Sequence, residues 1–253
     1  MRHLFRNIAA VCALFFMSVS SSGSERVTVF AAASLKGALD EVAEMAPVEM
    51  TLSYGGSGLI ARQVAQGAPA DLVILANTDW MDWLVSEMPD RDLLPKNFLG
   101  NSLVLIGARD ADEVTALSGK EIHRRLAGGR LAVGLTTSVP AGIYARQWLE
   151  TEGIWTSLRP HLAEVDNVRA ALALVARGEA PLGVVYASDA LAEPRVRVLY
   201  NIPASAHEEI TYPLLVLDGK NASQASVLQD YLMSEATQAV FVRHGFLPVR
   251  PRP

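Results

Sequence analysis

Along this chain, apolar and polar positions repeat one grammar: a short apolar run, a turn of small residues, then apolar residues at three- and four-residue spacing. Val27 and Val29 alternate with their neighbours as a strand that ends at Ala31-Ala32-Ala33. Leu35, Ala38, Leu39, Val42 and Met45 then fall on one helical face. Ser34 stands at the handover, where an N-cap is expected. Met50 to Tyr54 reads as a strand, Gly55-Gly56-Ser57-Gly58 as a turn and Leu59 to Gln66 as a helix. Pro69 to Leu75 reads as a buried strand, and Thr78 opens a helix carrying Trp80 and Trp83. Further strands are expected at Leu103 to Ile106, Leu131 to Leu135, Leu182 to Tyr186, Val196 to Leu199 and Leu214 to Leu217. Pro140 suits a first helical position. Asn167 precedes a helix from Val168 to Ala176 that Gly178 closes. Ser188 and Asp189 open a short helix, and Ser226 to Val242 reads as one last helix. Strands alternating with helices predict an α/β fold with largely parallel sheets. Leu103 to Ile106 and Tyr212-Pro213 are the expected crossings if the chain forms two lobes.

The first segment follows a different pattern. Arg2 and Arg6 precede an unbroken apolar run from Ile8 to Val19, and small residues follow from Ser18 to Ser24. This is the order of a secretory signal peptide, and the run is too short for a spanning helix of about 20 residues. Residues 1–24 are therefore expected to be removed on export to the periplasm. Cys12, the only cysteine, leaves with them, so an ordinary core rather than disulfides must hold the mature chain together. Loss of Arg2 and Arg6 moves the net charge from −5 to −7, an acidic balance that argues against nucleic-acid binding.

Enzyme signatures are missing. His123, His161, His207 and His244 are far apart and lack metal-pair spacing. Gly56-Ser57-Gly58 lacks the frame of a nucleophile elbow, and neither Gly119-Lys120 nor Gly219-Lys220 completes a phosphate loop. A hydrolase using Ser34 or Ser57 would need a histidine base, and the nearest in sequence is His123. What the chain does offer is a set of hydroxyls and helix starts. The first N–H groups of a helix lack partners and carry roughly +0.5 of an elementary charge, so converging helix starts make an anion site without basic side chains. Ser34, Ser57, the Pro140-Ala141 turn and Val168 sit at such starts. Taken singly each has a plain structural explanation: a cap, a turn, or for Tyr186 an ordinary core position. Trp80 and Trp83 read as packing residues, and Asn221-Ala222-Ser223 as an accidental glycosylation match.

Several collinear segments carry a resemblance. They include Val29-Phe30-Ala31-Ala32-Ala33-Ser34-Leu35, Gly67-Ala68-Pro69-Ala70-Asp71-Leu72 and Gly100-Asn101-Ser102-Leu103-Val104. Gly129-Arg130-Leu131-Ala132-Val133-Gly134, Val139-Pro140-Ala141-Gly142-Ile143-Tyr144-Ala145 and Asn167-Val168-Arg169-Ala170-Ala171-Leu172 follow. Glu179 to Ala190 completes the set. From Arg26 to Val249 the chain resembles the ModA family, the periplasmic molybdate-binding proteins of ABC importers. The resemblance implies a type II periplasmic-binding-protein fold with a ligand cleft between two lobes. Residues 25–102 with 213–253 would form one lobe, and 103–212 the other. It implies contacts to one molybdate or tungstate ion from Ser34, Ser57, Ala141, Val168 and Tyr186, the alanine and valine through backbone N–H. It also implies no cofactor, no direct metal ligand and no catalysis. The partners would be the permease and ATPase subunits of an importer, and the chain a monomer. Sulfate or another tetrahedral oxyanion is the rival ligand. Departures from the family pattern are a short stretch between Ser34 and Ser57, which predicts a trimmed first helix–strand unit, and a less acidic Leu135-Thr136-Thr137-Ser138.

Overall fold

A computed structural model describes residues 26–114 and 117–248; the expected signal peptide lies outside them. Its strands are β1 (Val27–Ala32), β2 (Met50–Gly55), β3 (Leu72–Ile74), β4 (Lys96–Gly100), β5 (Leu103–Ala108), β6 (Leu131–Gly134), β7 (Leu162–Val165), β8 (Leu182–Tyr186), β9 (Val196–Asn201), β10 (Thr211–Val216) and β11 (Leu247–Pro248). They form two sheets. The first has the order β11-β4-β10-β3-β1-β2, and the second β7-β6-β8-β5-β9. The second sheet is one continuous stretch, whereas the first is assembled from both ends of the chain. The path passes between them at Asn101-Ser102 and again at residues 202–210.

Helices cover both sheets. They are α1 (Lys36–Met45), α2 (Ser57–Ala65), α3 (Thr78–Ser86), α4 (Gly119–Leu126), α5 (Pro140–Thr151), α6 (Trp155–Leu158), α7 (Val168–Ala176), α8 (Ala187–Leu191), α9 (Ala222–Met233) and α10 (Glu235–Arg243). On the first sheet, α2 and α3 bury Ile60, Val64, Met81 and Leu84 against Val73, Leu75 and Leu215. Trp80 and Trp83 pack on this cluster edge to face, 5.5 Å apart, the packing role expected of them. On the second sheet, α5 and α7 press Trp148, Leu149, Ala171 and Leu172 onto strands of Val, Leu and Ile. Both layers are α/β, as the periodicity implies.

The sheets are not largely parallel. Strands β1, β2 and β3 run parallel, but β10 is antiparallel to both β3 and β4, and β5 is antiparallel to both β8 and β9. These reversed strands, β5 and β10, are the ones that follow the crossings. Hydrophobic spacing is blind to strand direction, which explains the miss. The expected single last helix is also two. Ser234 interrupts it with extended backbone, and its Oγ accepts from the Thr237 N–H while donating to the Tyr231 carbonyl. A side chain that satisfies both broken ends makes the interruption inexpensive. The first helix–strand unit, expected to be trimmed, still holds a ten-residue α1 and a six-residue β2. Asn221 is buried and donates to Asp71 at 3.1 Å, so it is a packing residue and not a glycan acceptor.

Candidate functional site

Three nine- to twelve-residue helices point their N-terminal ends at one small cavity. Helix α2 starts at Ser57, with Gly56 before it. Helix α5 starts at Pro140, and its N-cap, Val139, supplies no side-chain bond. Since proline has no N–H, Ala141 carries the first backbone donor of that helix. Helix α7 starts at Val168, which lines the cavity; the Asn167 side chain caps it by accepting from the Ala170 N–H. Ser34, Ser57, Ala141, Val168 and Tyr186 all line this one cavity, with Ala33, Gly56, Ala76 and Asn167. The cavity is small, about 10 Å³, and among the described residues no charged side chain lines it. All five predicted residues are buried. Ser34 and Ser57 come from the first sheet's side, and the other three from the second's.

The hydroxyls differ in how they are held. Ser57 Oγ accepts the Ala76 N–H at 2.9 Å, so its own proton remains available to the cavity. Ser34 is not a cap. It sits in a single 3₁₀ turn, Ala33–Leu35, that has no side-chain cap bond, and its Oγ lies 2.9 Å from the Tyr212 hydroxyl. The expected N-cap role is therefore replaced by a long-range contact. Tyr186, the last residue of β8, is 1% exposed, and its hydroxyl has no hydrogen-bond partner among the described residues. Burial raises its pKa well above the ordinary phenol value, with Tyr212, Tyr144 and Asp189 adding to the effect, so the group is a protonated donor at neutral pH. An orphaned buried hydroxyl costs about 1–3 kcal/mol, and here it faces a cavity lined by other donors.

Close approach of the two halves depends on glycine. A Cβ on Gly56 would collide with the Asp166 carbonyl, and one on Gly58 would lie 2.6 Å from the Ser138 carbonyl and from Trp80. The Leu135–Ser138 turn that faces Gly58 is anchored by Glu164, whose carboxylate accepts from both the N–H and the hydroxyl of Thr136 at 2.7 and 2.6 Å. Arg169 adds a bridge that sequence reading missed. Its Nε is 2.7 Å from Asp189 Oδ1, and its Nη2 donates to the Ser34 carbonyl at 3.3 Å. Asp189 is fully buried, and that burial pushes its carboxyl up to about 6 against the opposing pull of Arg169 and the Tyr186 N–H. Arg169 and Asp189 both stand inside segments that carry the family resemblance, and that was the available signal.

Residues 27–247 match the bacterial extracellular solute-binding proteins. The chain is 40% identical over 248 residues to the molybdate-binding protein ModA of Escherichia coli strain K12, covering 95% of this chain and 96% of that one. The chain belongs to the ModA family. Among solved structures it is similar to the Azotobacter vinelandii periplasmic molybdate-binding protein, with 19% identity, a TM-score of 0.75 and coverage of 90% of this chain and 100% of that one. It is similar also to the sulfate-binding protein SubI of Mycobacterium tuberculosis, with 17% identity, a TM-score of 0.68 and coverage of 89% and 88%. At such identities these two likenesses speak for the fold alone, the two-sheet α/β architecture of periplasmic binding proteins. ModA relatives are solute-binding proteins, not enzymes. One fold serves both molybdate- and sulfate-binding proteins, so a ModA-type ligand must be argued from the residues of the cavity.

Proposed function

We propose that this chain captures molybdate or tungstate outside the cytoplasmic membrane and delivers it to the permease and ATPase of an ABC importer. The single observation that carries the reading is the donor set of the cavity. Ser34, Ser57 and Tyr186 offer O–H groups, and Ala141 and Val168 offer N–H groups at helix starts. A fully deprotonated tetrahedral dianion needs donors only. Charge-assisted hydrogen bonds contribute about 1.5–3 kcal/mol each, and several together offset lost ion hydration. The helix starts supply positive potential without a bulky cation. Hydrogen phosphate would need an acceptor as well, and among the described residues no carboxylate lines the cavity.

In this reading residues 25–102 with 213–253 are one lobe and 103–212 the other, hinged at the two crossings. Donors from both lobes meet only on closure, so the ion favours the closed state by its differential affinity, and the importer reads that state. The chain acts as an exported monomer, free of residues 1–24, with no cofactor and no catalytic step. Calorimetry of the purified protein tests the ligand. Molybdate and tungstate should bind at one site per chain, with sulfate far weaker. Equal or tighter binding of sulfate or phosphate would refute the assignment.

A further inference from the structure

Beneath Ser34 runs a chain of buried polar groups. Ser34 Oγ is 2.9 Å from the Tyr212 hydroxyl, whose oxygen is 3.3 Å from Asn101 Nδ2. Asn101 Nδ2 also donates to Ser188 Oγ at 2.8 Å. All four residues are buried. Asn101 lies at the first crossing between the sheets and Tyr212 just after the second.

The direction of the protons follows from one fixed end. The Ser102 backbone N–H donates to the other terminal atom of the Asn101 side chain at 2.9 Å. An N–H can only donate, so that atom is the amide oxygen. The atom facing Tyr212 and Ser188 is therefore the NH₂ group, a donor that cannot accept. Tyr212 receives a bond from it, and its single proton is left for Ser34 Oγ. Ser34 in turn accepts, and its own proton is left for the cavity.

We infer that Tyr212 and Asn101 are positioning residues that hold Ser34 as a donor toward the bound anion and bias the site against oxyanions that carry a proton. The inference rests on the oxyanion reading above and adds a basis for its specificity. Ser34 can accept from a protonated anion through its second lone pair only by turning its own proton away from the ligand, and the partner at hand for that proton is Tyr212. Tyr212 must then turn its own proton away from Ser34, and on the Asn101 side an NH₂ group cannot receive it. Asn101→Asp keeps the shape and the bond from Ser102 but places an acceptor there, so the relay can reverse. Tyr212→Phe keeps the ring and releases Ser34 to rotate.

The test is calorimetric titration of wild type and both variants with molybdate, sulfate and hydrogen phosphate at mildly alkaline pH, with thermal melting as the folding check. Asn101→Asp should lose about tenfold or more in molybdate affinity and gain in hydrogen phosphate affinity by a similar factor. Tyr212→Phe should weaken molybdate about tenfold and narrow its advantage over hydrogen phosphate. The ratio is the decisive reading, since a merely structural role would weaken all anions in proportion. Proportional losses, or unchanged affinities in both variants, overturn the relay while leaving the oxyanion reading intact. If Asn101→Asp does not fold, the ratio in Tyr212→Phe decides alone. A wild type that binds none of the three anions refutes the oxyanion reading, and the relay with it.

Discussion

Tyr186→Phe removes a single oxygen atom from a buried wall of the cavity, and the structure fixes what else changes. Among the described residues the hydroxyl has no hydrogen-bond partner, so no such bond is lost. The ring is 1% exposed and meets Tyr212 edge to face at 5.9 Å, and that packing survives. The empty protein should therefore melt at the wild-type temperature or above it, because a desolvated, unsatisfied hydroxyl is gone. Binding should suffer, since the lost donor served a charged ligand: about 1.5–3 kcal/mol, or about one to two orders of magnitude in Kd. Ser57→Ala is the contrasting case. Ser57 Oγ accepts the buried Ala76 N–H at 2.9 Å, so its removal strands that donor and should cost about 1–3 kcal/mol of stability in addition to affinity. Titration calorimetry with molybdate and differential scanning calorimetry without it separate the two effects. A Tyr186→Phe protein that binds as tightly as wild type, or one that melts several degrees lower when empty, would refute the reasoning.

Two further outcomes are expected. Gly56→Ala should weaken molybdate binding about tenfold or more, because the added methyl meets the Asp166 carbonyl and holds the halves apart. The backbone there, φ −67° and ψ 137°, suits alanine, so the empty protein should keep its stability, and solution scattering should show no contraction with the ion. Asp189 should make the fold less stable as pH rises. Its folded-state pKa of about 6 lies above the ordinary 3.8, so the native state binds the extra proton and stability falls between about pH 4 and 6, by about 3 kcal/mol in all. Relative to Asp189→Asn, urea denaturation of the wild type should show that decline, and parallel pH profiles would contradict it.

The sequence made the cavity's helix starts readable for physical reasons. Proline at a first helical position, an asparagine cap and glycine turns are local signals, and Ala141, Val168 and Ser57 depend on nothing beyond them. Tyr186 was legible only as a strand end, and its orphaned hydroxyl is a tertiary fact. The partner of Ser34 was out of reach for the same reason, because Tyr212 is 178 residues away in the chain, and no spacing rule spans that distance. Ser34 looked like a cap because strand-to-helix serines so often are. Strands β4, β7 and β11 escaped because they are short and lie at or next to a sheet edge. The crossings, at Asn101-Ser102 and residues 202–210, come just before the expected Leu103 to Ile106 and Tyr212-Pro213, which lie inside β5 and β10, and the reversal of direction was not legible at all.

That reversal bears on how the protein can fold. Strand β10 emerges near the end of the chain yet lies between β3 and β4 in the middle of the first sheet. Until residues 211–216 arrive, β3 and β4 each have an open edge where β10 belongs, and the turn holding Ser34 lacks Tyr212 beneath it. The second sheet, continuous in sequence, has no such dependence and can form while the rest waits. Pairing of such long sequence separation is slow. The first sheet therefore stays incomplete on that side until residues 211–216 have joined it. The cavity wall that holds Ser34, early in the sequence, is completed only by a strand from the last fifth of the chain.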